Sequence, residues 1–289
     1  MKIAAEYIWL NETGDVCSLT KTLFIEPKDK DDNKMNIVNE LLNINIYEDL
    51  SLQNSILKPV SVRLDPFRKG TNVLVVCDDK HNESDKDTIR ETLQKKLLDM
   101  KEDEPKFTCN FNFAMIDTKI DTRLHGMAPL DRPPPLGEFC DHKKYLVHTS
   151  VSRKFPEQAY HLGLEGGLSL IGFNSGNTVN EWSVTIGEHI NIQLVDDIIF
   201  FKFILIRISE MNQCRLSFGD TSNKIKCEFR YNIGKMRNEN IDCTKIAVDI
   251  IKDRSLVYKH TLDNKLVFYD NDGLSCDNPY STLFEFLNK

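Results

Sequence analysis

Two asparagines in the stretch FTCNFNF, residues 107–113, have a residue type and spacing from which a chemical site could be built. The stretch alternates along the chain and so predicts a β-strand with Cys109, Phe111 and Phe113 on one side. Asn110 and Asn112 then share the other side, where two amides offer acceptor oxygens and N–H donors without charge. Because asparagine is depleted in strands, this side is unusual and is the first candidate for a site.

Histidine and cysteine spacing predicts no second site. The stretch DHKKYLVH places Asp141, His142 and His148 at neither helical nor alternating spacing, so it does not predict a metal site. The eight cysteines show no CxxC spacing, which is typical of buried thiols in a reducing compartment. Cys109 and Cys140 have no base near them in the sequence, so a buried, unreactive thiol is expected at both.

Composition and charge exclude several classes of protein. The chain of 289 residues is 40% hydrophobic and 28% charged, as in globular proteins with one large domain or two unequal ones. Its formal net charge of −7 disfavours a nucleic-acid-binding surface. The first residues lack a cationic segment followed by an apolar run, so we expect no signal peptide and a cytoplasmic location.

One apolar run, Ile198 to Ile208, raises the question of a membrane. It has only 11 residues and includes Lys202 and Arg207, whereas a spanning helix needs about 20 apolar residues. The run therefore predicts a buried helix whose cations extend towards solvent, and no membrane association.

The remaining chain alternates between strand and helix patterns. Strands are predicted over AEYIWL, CSLTKTLFI, NVLVVCD and EWSVTIGE. Helices are predicted in the segment carrying Ile89, Leu93, Leu97 and Leu98, then over FPEQAYHLGLEGG, residues 196–211, NIDCTKIAVDIIKDR and DNPYSTLFEFL. These patterns predict an N-terminal domain over residues 1–81, a polar connector with one helix over 82–106, and a larger domain over 107–289.

A series of segments resembles, in order, the glutamine synthetases of the eukaryotic type. These are AEYIWLNETGD, SLTKTL, LDPFRKGTNVLVVCD, the strand at Phe107, GLEGGLSLIGFNSG, EWSVTIG, CEFRYNIGKMR and FYDNDGLSCDNPYS. The resemblance implies an α+β fold with a β-grasp-like N-terminal domain. It also implies a shortened catalytic-type domain in which an antiparallel sheet is flanked by helices.

In that family, carboxylates hold divalent cations that bridge the phosphates of ATP while glutamate is phosphorylated and then attacked by ammonia. By resemblance, the matching ligand positions here depart from the family pattern: Asn110, Asn112, Gly176, Ser183, Glu228, which stands where the family has a histidine, and Tyr269. The positions matching phosphate and substrate groups are Arg230, Asn271 and Asp272, and a segment after Arg254 is missing. Glu181 is set aside as a replacement because we expect it to face away from the partners of Ser183.

These departures predict a non-catalytic homologue that acts by binding or assembly, as a homo-oligomer or together with an active glutamine synthetase. No metal, cofactor, nucleic acid or membrane is expected to bind. Two alternatives remain open. One is an ATP-dependent glutamate–ammonia ligase with ligands placed elsewhere, and the other is a sensor that binds glutamate or a nucleotide without turnover.

Overall fold

The computed structural model describes most of the chain in segments. The described residues are 1–25, 39–52, 55–81, 87–116, 153–175, 181–212, 214–218, 226–234, 257–260, 266–269, 274–275 and 278–288. Within them the chain forms two sheets and helices that pack against both, which agrees with the predicted α+β class.

The first sheet has five strands in the order β2-β1-β5-β4-β3. The strands are β1 (Lys2–Leu10), β2 (Val16–Phe24), β3 (Leu50–Ser51), β4 (Ser55–Leu64) and β5 (Val73–His81). The neighbours β1 and β5 are parallel, and the other pairs are antiparallel. The strands predicted over AEYIWL, CSLTKTLFI and NVLVVCD are confirmed.

Strand β5 has a continuous apolar sequence because both of its faces are covered. Val73 and Val75 are buried in the core between the first sheet and the segment that includes Leu41 and Tyr47. Leu74 and Val76 belong to the larger core on the opposite face of the sheet. The first sheet is therefore a middle layer rather than an exposed surface sheet.

The second sheet is antiparallel throughout, with main order β11-β12-β10-β6-β8-β7, while β9 pairs with β6 and β13 with β10. Its strands are β6 (Lys106–Ile116), β7 (Leu170–Ser175), β8 (Glu181–His189), β9 (Arg215–Ser217), β10 (Lys226–Asn232), β11 (Val257–His260), β12 (Leu266–Tyr269) and β13 (Leu274–Ser275). The long strand β6 lies at its centre. The strand predicted over EWSVTIGE is confirmed as β8.

Four helices have described bounds: α1 (Ile89–Asp99), α2 (Lys154–Glu165), α3 (Gln193–Met211) and α4 (Pro279–Asn288). Each lies where a helix was predicted. Thr88 and Glu91 close the start of α1 with reciprocal side-chain to backbone hydrogen bonds, a capping box. Leu93 and Leu97 of α1 are buried, but Ile89 and Leu98 are 36% and 60% exposed, so only two of the four predicted apolar residues face the core.

Helix α3 is the buried helix predicted from residues 198–208, and it is buried on nearly every side. The prediction that the cations of this helix extend towards solvent is wrong for Lys202. Lys202 does not extend to solvent: it is 5% exposed, and its Nζ donates a hydrogen bond to the Gly14 carbonyl at 2.9 Å. That carbonyl belongs to the turn between β1 and β2, so the cation joins α3 to the first sheet.

Two consecutive carboxylates near the beginning of α3 connect the layers of the fold. Asp197 is fully buried and accepts from Arg63 Nη2 on β4 at 2.8 Å, and its other oxygen lies 2.9 Å from His189 Nε2 on β8. The backbone N–H of Ser169, just before β7, donates to that second oxygen at 3.2 Å. One side chain thus joins the helix to both sheets.

Asp196 makes the corresponding connection to the outer helices. Arg90 on α1 donates to Asp196 through Nη2 at 2.9 Å, and the Tyr280 hydroxyl on α4 donates to it at 2.7 Å. Burial, the largest single influence, would lower the pKa of Arg90, but the charges of Asp196 and Tyr280 and the hydrogen bonds to both together outweigh it and raise that pKa. Burial, followed by the same charge, raises the pKa of Tyr280. Both partners therefore stay protonated and continue to donate.

Some predicted elements lie outside the described residues. These are the helix over NIDCTKIAVDIIKDR, the region of Asp141, His142 and His148, and Cys140. Among the helices that are described, none has the length and apolar composition required to cross a membrane.

Replacing Asp197 by alanine leaves the Arg63 guanidinium, only 15% exposed, without its counter-charge. We expect Asp197→Ala to lower the free energy of unfolding by about 3–5 kcal/mol, measured by urea denaturation. The control is Asp87→Ala, which breaks an ion pair with Lys95 whose side chains are 50% and 63% exposed. That variant should lose less than about 1 kcal/mol. Equal losses in the two variants would contradict the connecting role of Asp197.

Candidate functional site

The polar face of the second sheet carries the residues singled out in the sequence. On the inner side of β6, Cys109, Phe111 and Phe113 are almost fully buried in the larger core. Asn110 and Asn112 lie on the other side and are partly exposed. The predicted alternation is confirmed. The opposite side of the sheet thus presents amides rather than apolar side chains.

Asn110 is the middle member of a hydrogen-bonded row that crosses three strands. In the register of the sheet it lies between Thr185 on β8 and Glu228 on β10. The Thr185 hydroxyl donates to Asn110 Oδ1 at 2.8 Å, and Asn110 Nδ2 donates to Glu228 Oε2 at 2.8 Å. The amide therefore uses its oxygen on one neighbour and its nitrogen on the other.

Arg230 completes the row and balances its charge. Its Nη2 donates to Glu228 Oε2 at 2.6 Å, so one carboxylate oxygen accepts from both Arg230 and Asn110. The side chains of Arg230 and Glu228 are 39% and 33% exposed. At this exposure solvent weakens the attraction, so the pair adds little to stability. Its consequence is local: the row from Thr185 to Arg230 has no net charge.

A second row on the same face is made of short polar side chains. Asn112 lies opposite Ser183 on β8, and Ser183 lies opposite Asn174 on β7. Ser183 is 7% exposed, so this row is more enclosed than the first. It provides neutral acceptors and donors.

Glu181 requires a correction. It was expected to face away from the partners of Ser183, but residues two apart in a strand point to the same side. The register pairs Glu181 with Ala114 and Ser183 with Asn112, so Glu181 belongs to the polar face. The parity of EWSVTIGE was sufficient to place it, together with Ser183 and Thr185, on one side. The described residues therefore place the carboxylates of Glu181 and Glu228 on the polar face.

The structure brings together only part of the predicted set. Asn110, Asn112, Ser183, Glu228 and Arg230 lie on neighbouring strands, and Tyr269 on β12 is the register partner of Arg230. Gly176, Asn271 and Asp272 lie outside the described residues. The assignment of these positions to former metal, phosphate and substrate groups stays a prediction.

A divalent cation, which the resemblance implies, does not fit the described residues around Asn110. The described part of the chain contains no cluster of three His, Cys, Asp or Glu side chains that could hold a metal ion. The carboxylate oxygen nearest to Asn110 already accepts two hydrogen bonds, one of them from a guanidinium. A hard cation at this point would meet an existing positive charge and only neutral amides beside it.

The thiol of Cys109 is not a candidate nucleophile. It lies on the inner side of β6 and is fully buried. Burial raises the pKa of this thiol, so the reactive thiolate is disfavoured. The expectation of a buried, unreactive thiol at this position is confirmed, and the cysteines whose side chains the structure describes, Cys17, Cys77, Cys109 and Cys214, are free.

Comparison with known proteins identifies the relatives of this sheet. The chain is 27% identical over 280 residues to the glutamine synthetase of Mus musculus, an alignment covering 91% of this chain and 72% of that enzyme. It is 27% identical over 220 residues to the glutamine synthetase of Tuber borchii, covering 75% of this chain and 59% of the relative. The nodule isozyme of Lupinus angustifolius is also 27% identical, over 88% of this chain and 82% of that enzyme.

The fold agrees with these relationships. The solved ADP complex of GmaS superposes with a TM-score of 0.52 at 10% identity, over 80% of this chain and 53% of that one. No protein-family model matches the chain. The chain is nevertheless a member of the glutamine synthetase family, shortened relative to most of these relatives.

The comparisons overturn the prediction that the chain is not an enzyme. That prediction was wrong because the curated relatives, aligned over most of the chain, are named as an enzyme, and nothing in the sequence or structure demonstrates inactivity. Replaced side chains at individual positions do not by themselves establish the loss of a whole activity. The family relationship itself, inferred from collinear segments, is confirmed.

Substituting Asn110→Asp tests the hydrogen-bonded row. The change turns the amide that donates to Glu228 into a second carboxylate at the same place. We expect the free energy of unfolding to fall by about 1–2 kcal/mol at pH 7, because a donor is lost and like charges approach. The pKa of the new carboxyl is raised by Glu228, so the loss is present at neutral pH and disappears as the pH falls below about 4.

The matched control is Asn112→Asp, because its cross-strand neighbour Ser183 carries no charge. Urea denaturation at pH 7 and at pH 3.5 provides the measurement, and the control should show the smaller pH-dependent loss. A penalty that is equal for both variants, or independent of pH, would show that Glu228 does not act on Asn110 as the structure indicates.

Proposed function

We propose that this chain is an ATP-dependent ligase of glutamate and ammonia, the reaction for which its curated relatives are named. The observation that carries the proposal is the collinear similarity to the mouse glutamine synthetase, which extends over 91% of the chain and so includes both sheets. The polar face of the second sheet is the place where we locate the chemistry. On this face an amide, a carboxylate and a guanidinium meet on neighbouring strands.

The charges of this face suit the two substrates. At neutral pH ammonium is a cation and glutamate has one α-ammonium group beside its two carboxylates, and Glu181 offers a carboxylate at the rim of the enclosed Ser183 row. The Arg230 guanidinium offers the complementary charge for an anionic group of the substrates. In the proposal, therefore, Glu181 attracts the ammonium group and Arg230 attracts an anionic group, while the neutral amides between them hydrogen-bond the substrate.

The organisation of the chain and its location are part of the same proposal. The mixed five-stranded sheet supports a β-grasp-like domain over residues 1–81, followed by a connector over 82–106 and a shortened catalytic-type domain over 107–289. The four free cysteines support a reducing, cytoplasmic environment.

Glutamine formation by the purified chain tests the ligase proposal. We expect glutamine to accumulate from glutamate, ammonium and ATP, with Mg²⁺ or Mn²⁺ supplied, at a rate that scales with the concentration of the chain. Glu181→Gln should lower kcat/KM for ammonium about tenfold, because the attracting charge is lost. Glu210→Gln, which removes an exposed carboxylate paired with Arg207 on α3, should leave it unchanged.

The assay should use material repurified from a host that lacks its own glutamine synthetase. No glutamine above the blank with either cation would reject the proposal. Activity that is reduced equally by Glu181→Gln and Glu210→Gln would reject the role of Glu181 but not the ligase proposal.

A second candidate function is assembly with another subunit, identical or from an active glutamine synthetase. The specific observation is β2, which is the terminal strand of the first sheet and whose side chains are largely exposed. Phe24 at its end is 75% exposed and Leu19 is 39% exposed. An exposed edge strand offers unpaired backbone groups to a partner. We propose that β2 is a subunit contact of this chain.

Light scattering at micromolar concentration tests the contact. We expect a species larger than the 33.4 kDa chain, alone or mixed with an active glutamine synthetase. Leu19→Lys on β2 should shift the distribution towards the monomer by placing a charge at the contact. Leu98→Lys, at an apolar residue of α1 that is 60% exposed and lies outside β2, is the control and should have no effect. A strict monomer in both samples would contradict the proposal.

A further inference from the structure

The guanidinium of Arg230 occupies a position on the polar face where its charge decides what the face can bind. It lies on β10, two residues after Glu228, which is the register partner of Asn110. The register partners of Arg230 itself are Thr108 on β6 and Tyr269 on β12. Its donor contact with Glu228 Oε2 measures 2.6 Å. The positive charge on this face therefore belongs to one of the protein's own side chains.

This built-in cation competes with a metal ion for the same oxygen. Glu228 Oε2 accepts from Arg230 and from Asn110, so a metal ion binding there would have to displace both donors. It would also bring two positive charges together, and the neutral amides of Asn110 and Asn112 offset little of a divalent ion's dehydration cost. The guanidinium therefore excludes the ion at this point while supplying positive charge itself.

The same guanidinium retains capacity to bind an anion. An arginine side chain has five N–H donors in a planar fork, and the described contact with Glu228 uses one nitrogen of that fork. With 39% of the side chain exposed, solvent and solutes reach the group. Two parallel N–H groups match two oxygens of a phosphate, and the geometry needs no bridging metal.

We propose that Arg230 replaces a divalent cation on this face and binds phosphate oxygens directly, so that phosphate binding there is independent of metal. The inference rests on the proposed function for the source of the phosphate, which ATP or ADP would provide. Glu228 acts in this arrangement as a competitor of the phosphate for Arg230. Its removal therefore strengthens binding, whereas at a metal-bridged phosphate site removal of a carboxylate ligand weakens it.

Calorimetric titration without turnover tests the inference on the full chain. Inorganic phosphate and ADP are the probes, each in EDTA and in Mg²⁺, and adenosine is the probe without phosphate. We expect the Kd of ADP to agree within about twofold between EDTA and Mg²⁺, and adenosine to bind at least about tenfold more weakly. Glu228→Gln should lower the Kd of phosphate severalfold, and Arg230→Gln should raise it about tenfold or more.

The control variant is Arg207→Gln, because Arg207 has the same exposure of 39% and is also paired with a glutamate, Glu210 on α3. It should leave every Kd unchanged. If Arg230→Gln does not fold, as judged by circular dichroism, Arg230→Lys decides: loss of the planar fork should still raise the Kd severalfold, and an unchanged Kd overturns the inference.

Several other results would overturn it: no phosphate binding, binding only with Mg²⁺, adenosine binding as well as ADP, or weaker binding in Glu228→Gln. These outcomes are separate from the fate of the ligase proposal. A chain that forms no glutamine but binds ADP in EDTA through Arg230 keeps the inference. A chain that forms glutamine but binds phosphate only with Mg²⁺ loses the inference and keeps the ligase function.

Discussion

The buried carboxylates of Asp196 and Asp197 near the start of α3 are the constraint on which the rest of the molecule depends. Asp197 contacts Arg63 of the first sheet and His189 of the second, and Asp196 contacts Arg90 and Tyr280 on the two outer helices. An uncompensated charge inside a protein is costly, so each partner must be in place for the others to be tolerated. Apolar packing alone would allow the layers to shift relative to α3. These directional contacts determine which layer packs against which face of the helix.

The same scaffold determines the character of the polar face. The inner side of β6 is held against α3 by Phe111, which packs edge-on against Phe201 with ring centroids 6.2 Å apart. Since a strand alternates, fixing Phe111 inside fixes Asn110 and Asn112 outside. The neighbouring strands β8 and β10 then set the partners of each amide. Among the described residues, the face offers a ligand a balance of Glu181, Glu228 and Arg230 among neutral groups.

The family relationship and the chemistry of individual positions give different information about function. Relatives of 27% identity aligned over most of the chain are named as an enzyme, whereas the residues around Asn110 do not fit the divalent cation that the resemblance implies. An inference of function from the number of replaced ligand residues treats each position as independent. In the sheet such positions are coupled: Glu228 and Arg230, both predicted from the resemblance to depart from the family pattern, form one ion pair. A coupled replacement can alter how a ligand is held without abolishing binding.

The sequence by itself determined the strands and helices, the side of β6 that faces the core, the burial of α3 and the family, because these follow from local periodicity and from the order of segments. Tertiary structure alone decided which residues meet. Glu228 lies 118 positions from Asn110, and Arg63 lies 134 from Asp197, so no spacing rule connects them. Lys202 looked like a cation that reaches solvent because its neighbours are apolar, yet the turn at Gly14 places a carbonyl beside it. Cross-strand register and layer packing are long-range properties, and they assigned the partners that local pattern leaves open.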